Sequence, residues 1–284
     1  MGYETMDQNL AAFDAIIAKL KIKLADDSPI KKDFDTTRDF LNDKKSLDEP
    51  VWMEKWNPRF KEFYHAQIVV KRLVDAVVVL EGQNKLKSRL NQILGGPLTQ
   101  DFVPHASKDY FYELEMAAMW KESGFTIELA EPDVVVSGNG LSAPVGVACK
   151  FPSGLASLHD HISKGYKQIT KRGYEGLVAI GLDQLVCAGM SNYMDFRQSS
   201  RPPIEIMQSL TKDAMKNLVT LRAEGYPSEL PIDGAMLTMS AVGIYGQPAH
   251  LTRVRFATLQ CTNTNPRLAD FDVLYREMKT VATF

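Results

Sequence analysis

Acidic and basic side chains recur at suggestive places in the middle third of the chain. Glu113 and Glu115 stand in "YFYELEMAAM", Asp133 in "EPDVVV", and Lys150 closes "VACK". Carboxylates from a helix and two neighbouring strands can converge on one hard divalent cation. Such a cation polarises a phosphate and generates hydroxide from bound water, the needs of phosphodiester hydrolysis. Side chains alternate along a strand, so position 148 shares a face with Lys150 and Cys149 points away. That parity suits a metal ligand at 148 and a water-orienting ammonium at 150. Ala148 occupies the ligand position, and a methyl group cannot bind a metal. Asp133, the Cys149 carbonyl and Glu113 are then the remaining donors, with Glu115 or Glu131 as acids that could replace the missing one. Glu113 and Glu115 lie two apart and face different sides of a helix, so one of them is expected as a surface charge.

Neighbouring features carry weaker signals. "HDHISKGYKQITKR" places Lys164, Lys167, Lys171 and Arg172 at helical spacing, a face able to follow a nucleic-acid backbone or simply to be solvated. His159 and His161 are two apart, wrong for one helix face, and lack an evident third ligand. Capping or a nucleic-acid contact suits them better than a metal. "SGNGLS" lacks the Lys-Ser/Thr ending and following helix of a phosphate loop, and reads as a hairpin turn at Asn139-Gly140.

The elements that must position these residues follow from periodicity. "MDQNLAAFDAIIAKLKIKL" sets Leu10, Phe13, Ile16, Ile17 and Leu20 on one helical stripe. "SPIKKDFDTTRDFLNDKKSLDEP" is highly charged and predicts a short helix within a loop. A long helix, or two in series with a break at Gly82, runs from Asn57-Pro58 to the stop at Gly95-Gly96-Pro97. Ser107 is the expected N-cap of the next helix and Gly124 its C′ residue. Strands "TIELAEPDVVVSGNG" and "APVGVACK", helix "LHDHISKGYKQITKRGY" and strand "EGLVAIGLD" follow. "RPPIEIMQSLTKDAMKNLVTLRAEG" predicts a helix, "IDGAMLTMSAVGI" and "LTRVRFATLQCT" strands, and "PRLADFDVLYREMKTVATF" a closing helix. The class is α/β: a mixed sheet flanked by helices over residues 97–284, preceded by a helical region over 1–96.

From residue 107 to about 185 the chain resembles the PD-(D/E)xK nuclease superfamily, the restriction-endonuclease-like fold. The matching pieces are Glu113 in the leading helix, Pro132-Asp133, the "ACK" ending at Lys150, and Gln168 in the next helix. The resemblance implies that Asp133 and Glu113 hold Mg²⁺ (or Mn²⁺), that Lys150 serves the attacking water, and that Gln168 supports the site. It implies cleavage of DNA, in bacterial defence or DNA processing, and often a homodimer. Ala148 departs from the family's Glu or Asp, which implies an impaired form, either deliberately inactivated or a natural pseudo-nuclease. Two other classes stay open: a non-catalytic nucleic-acid-binding or interaction module, and a small-ligand sensor with an apolar pocket.

Composition narrows the setting. Hydrophobic residues make up 45% and charged residues 24%, ordinary for a globular protein with a full core. The net charge of −2 means that a nucleic-acid partner needs a local basic patch rather than a global field. Cys149, Cys187 and Cys261 form no CxxC pair, which points away from disulfides and zinc and towards a reducing cytoplasm. The N-terminus lacks the basic start and apolar run of a signal peptide, and no membrane span is expected.

Overall fold

The computed structural model describes residues 3–98, 105–154, 157–183, 194–195, 234–245, 250–260, 265–277 and 281–283, with five single positions between 205 and 216. The helix expected at "RPPIEIMQSLTKDAMKNLVTLRAEG" falls almost entirely outside these residues, as do Cys187 and Cys261.

The chain begins with helices. α1 (Tyr3–Lys19) buries Leu10, Phe13 and Ile16, with Ile17 and Leu20 packed beside them, as the stripe predicts. α2 (Pro29–Ser46) is an 18-residue helix, not a short one in a loop. Its charges conceal a helical period: Ile30, Phe34, Thr37 and Leu41 are buried together with Phe40. α3 (Glu49–Trp56) adds Trp52 and Trp56, which meet Phe40 edge-on. After a 3₁₀ turn at Asn57–Arg59, α4 (Phe60–Val79) and α5 (Leu86–Leu94) run in series. The break between them contains Gly82 and Lys85, both at positive φ.

α6 (Ala106–Glu122) follows, capped by the His105 ring, whose Nδ1 accepts the Ser107 N–H. Ser107, expected as the cap, lies inside the helix and donates its hydroxyl to the Pro97 carbonyl instead. The helix ends as expected at Gly124, φ 90°. α6 is buried nearly all round because it is packed between α4 and α5 on one side and the sheet on the other.

The sheet has eight strands among the described residues: β1 (Thr126–Ala130), β2 (Asp133–Ser137), β3 (Val145–Lys150), β4 (Gly176–Gly181), β5 (Met194–Asp195), β6 (Ala235–Tyr245), β7 (His250–Gln260) and β8 (Val281–Thr283). Their order is β1-β2-β3-β4-β6-β7-β8, and β5 also pairs with β6. β1, β2 and β3 form an antiparallel meander. The β2–β3 connection turns through Gly138, Asn139 and Gly140, all at positive φ, consistent with the Asn-Gly reading. β3, β4 and β6 are parallel, and parallel neighbours need a crossover; α7 (Leu158–Lys171) supplies it between β3 and β4. β4 is central and every residue in it is buried. α8 (Leu268–Arg276) is shorter than the closing helix expected. Residues 281–283 instead add β8 to the edge of β7, where β-branched Val281 and Thr283 suit a strand.

One hydrophobic core runs from α1 through α4 and α6 to one face of the sheet, where Val134, Val136, Val147, Cys149, Leu177 and Ala179 are buried. α7 covers the opposite face: a Cβ on Gly165 would meet Val178 at 2.8 Å and Ala148 at 3.3 Å.

Candidate active site

The site lies where β2 begins and β3 ends. Antiparallel pairing of Val134 with Val147 sets Asp133 beside the C-terminal end of β3. There Asp133 Oδ2 accepts the Cys149 N–H at 2.7 Å and the Lys150 ammonium at 3.3 Å. Lys150 Nζ also donates to the Cys149 carbonyl at 3.1 Å, so that carbonyl is already engaged. Both side chains of the pair are about seven-eighths buried. Burial raises the pKa of the Asp133 carboxyl, against the opposing pull of Lys150 and the Cys149 N–H.

Glu113 reaches the site from α6. Its Oε1 accepts Arg89 Nε from α5 at 2.6 Å. Burial pushes its pKa up to about 8; the Asp133 charge adds to the rise, while Arg89 and Lys150 oppose it. Asp133 and Lys150 thus lie in contact, and Glu113 lies in the electrostatic range of both.

Glu115 corrects an expectation. Neither glutamate is a surface charge, since Glu113 and Glu115 are both buried. They do face different sides, but both sides of α6 are covered. Glu115 receives a two-pronged hydrogen bond from Arg72 of α4, at 2.9 and 2.5 Å. Arg72 also reaches Asp183 just beyond β4, at 3.1 Å. That engagement takes Glu115 out of reach as a substitute for the acid missing at 148. Glu131 is exposed in the turn before Asp133.

Asp109, one turn before Glu113, was missed in the sequence. Its Oδ1 accepts the Phe151 N–H at 2.9 Å, which ties α6 to the residue after Lys150. Burial raises its pKa, and Lys150 and His161 are among its charged neighbours. The signal available was the i, i+4 pairing of two acids on one helix face.

On α7, Lys164, Lys167, Lys171 and Arg172 are exposed, as a solvated or backbone-binding face requires. Gln168 is half-buried, and its Oε1 is shielded from solvent with no hydrogen-bond partner among the described residues; because Gly165 lies over Ala148 and Ile169 against Gly176, Gln168 falls at the level of Gly146, away from the Asp133–Lys150 contact that it was expected to support. His161 Nδ1 is likewise shielded, with no partner among the described residues. The His159 side chain lies outside the described residues. Cys149 faces the main core, and burial raises its thiol pKa, so it is inert as a nucleophile.

Among the described residues no group of three or more His, Cys, Asp or Glu side chains could hold a metal ion. The residues present therefore do not fit a tightly bound Mg²⁺. Ala148 offers no donor, Asp133 is shared between an ammonium and an amide, and Glu113 is held by Arg89. No helix among the described residues is long and apolar enough to cross a membrane. Comparison with family models, with curated proteins and with solved structures gives no match.

Proposed function

We propose that the chain is a restriction-endonuclease-like nuclease core in an acid-deleted form. As it stands it binds nucleic acid, double-stranded DNA in particular, and does not cut it. With a carboxylate at position 148 it becomes a metal-dependent nuclease. The observation that carries this reading is the contact of Asp133 with Lys150 across the start of β2 and the end of β3. Glu113 overlooks that contact from the preceding helix. The order of α6, the β1–β3 meander, crossover α7 and parallel β4 supports it, because it is the order that the resemblance implies.

In the acid-bearing form, Asp133, Glu113 and the introduced carboxylate would hold Mg²⁺ or Mn²⁺, which supplies polarisation of the phosphate and an ionised water. Lys150 is then freed from part of its hold on Asp133 to orient that water. Lys164, Lys167, Lys171 and Arg172 follow the nucleic-acid backbone from the exposed face of α7. The setting is a bacterial defence or DNA-processing enzyme of the cytoplasm, acting as a homodimer where both strands are cut.

The missing donor at position 148 favours a non-catalytic reading of the present chain over a catalytic one. Plasmid incubated with Mg²⁺ or Mn²⁺ tests the proposal. Cleavage by A148E, lost again in A148E/D133N and absent from the present chain, is expected. A folded A148E protein that cuts neither DNA nor RNA with either metal overturns the enzyme reading. Failure of the present chain to bind duplex DNA overturns the binding reading as well.

A further inference from the structure

The segment between Glu81 and Asp101 contains no acidic residue, yet it holds Lys85, Lys87 and Arg89. α5 turns its apolar residues Leu86, Leu90, Ile93 and Leu94 inward. Lys85 at its start and Lys87, Ser88, Asn91 and Gln92 along it are exposed. Lys85 and Lys87 make no ion pair among the described residues. Elsewhere in the helical region Lys19, Lys31, Arg38, Lys45 and Lys55 each pair with an acid. A solvated helix face normally mixes the two signs in this way. α5 instead presents positive charge and neutral hydrogen-bonding groups alone.

That face adjoins the candidate site. Arg89 leaves α5 to bond Glu113 at 2.6 Å, and its charge also reaches Asp133. Lys85 and Gln92 stand one turn before and one turn after Arg89, so they flank it on one side of the helix. α5 packs on α6, which lies on one face of the sheet, and α7 covers the other face. On α7, the charges of Lys164 and Lys150 both act on His161, so the exposed cations of α7 border the same site. The end of β3 is therefore bracketed from both layers by exposed cations. The acids between them, Glu113 and Asp133, are mostly buried.

We propose that the exposed face of α5 is a nucleic-acid contact surface, where Lys85, Lys87, Ser88 and Gln92 hold the phosphate backbone of a duplex that spans the end of β3 from α7. The inference rests on the nucleic-acid-binding reading given above and adds a second wall to it. Phosphate oxygens accept hydrogen bonds from lysine, serine, asparagine and glutamine side chains alike, which is the composition of this face. Such contacts position a duplex without reading its sequence. An anionic membrane fits less well. A surface-bound helix inserts an apolar flank, and the apolar flank of α5 is already packed in the core.

Fluorescence anisotropy of the full chain with duplexes of unrelated sequence tests this. K85A/K87A should weaken binding to every duplex alike and lower the slope of log affinity against log salt by about 1 for each lysine in contact. K45A/K55A removes the same charge ahead of α4 and should leave affinity and slope unchanged. A photo-cross-linking residue in place of Gln92 should attach to the duplex. Unchanged affinity and slope in K85A/K87A, or an equal effect from K45A/K55A, overturns the proposal. So does a K85A/K87A chain that loses binding to anionic phospholipid vesicles while its duplex binding stays intact, because the face then serves a membrane. The two readings fail separately. Duplex binding weakened by K164A/K167A but not by K85A/K87A removes this inference alone, whereas a parent chain that binds no duplex removes the binding reading and this surface with it.

Discussion

Asp133 Oδ2 is a shared acceptor, 2.7 Å from the Cys149 amide nitrogen and 3.3 Å from Lys150 Nζ. One carboxylate oxygen thus fixes both the backbone and the side chain at the end of β3. In the present chain that is a structural duty as much as a chemical one. The Lys150 ammonium is the charge with which any later cation must compete for the Asp133 carboxylate.

D133A should therefore destabilise the chain even though it removes no apolar contact. It leaves the Cys149 N–H without its acceptor and strips the mostly buried Lys150 ammonium of its counter-charge, leaving it the Cys149 carbonyl, a loss of about 3 kcal/mol. D133N keeps an acceptor for the amide and should cost less than D133A. Urea unfolding of the two variants beside the parent checks the order.

Glu113 predicts a pH dependence whose sign follows from burial. Its folded pKa is raised from 4.5 to about 8. The folded chain therefore binds this proton more tightly than the unfolded chain does. The stabilising contribution is fully present below about pH 4.5 and is lost progressively as pH rises to about 8. E113Q cannot titrate, so its stability should fall less between pH 5 and pH 8 than that of the parent, which chemical denaturation across that range would reveal.

Arg72 is the buried counter-charge for two acids, Glu115 and Asp183. Asp183 also accepts the Ser240 N–H at 2.7 Å, so the network joins α4 and α6 to β6. R72M should cost about 3–5 kcal/mol, because it strands two carboxylates in the interior. R72M/E115L should recover part of that loss. Thermal unfolding of both variants measures the recovery, and R72M within about 0.5 kcal/mol of the parent would be incompatible with this account.

Gly165 is required by close approach rather than by an unusual backbone angle. A methyl there meets Val178 at 2.8 Å and Ala148 at 3.3 Å, and both are packed in the layer under α7. G165A should destabilise by about 1–3 kcal/mol. That is the reverse of the gain usual for Gly→Ala within a helix, and a raised melting temperature would contradict the packing described.

The exposed cations of α7 give a salt-dependent prediction. Replacing Lys164 and Lys167 by alanine should weaken duplex binding across unrelated sequences. It should also lower the slope of log affinity against log salt by about 1 per phosphate contact removed. Fluorescence anisotropy at several salt concentrations reads both, and unchanged affinity with an unchanged slope would take these two lysines off the binding face.

Much of this protein was legible in short-range pattern. The stripe through Leu10, Phe13 and Ile16, the Asn139-Gly140 turn and the shared parity of positions 148 and 150 all depend on residues a few places apart. Local backbone geometry fixes such relations, so the sequence by itself determined them. Where charge was dense, as in α2, the apolar period of Ile30, Phe34, Thr37 and Leu41 was present but obscured. Only the tertiary structure decided which acids face the site. Glu115 is held by Arg72, 43 residues earlier, and Asp109 by the amide of Phe151, 42 residues later. Gly165 comes to lie over Ala148 and Val178 because α7 packs antiparallel on β3 and β4 at one register. Such pairings arise from packing between elements distant in sequence, and a helical or strand period carries no record of the element on which it will pack.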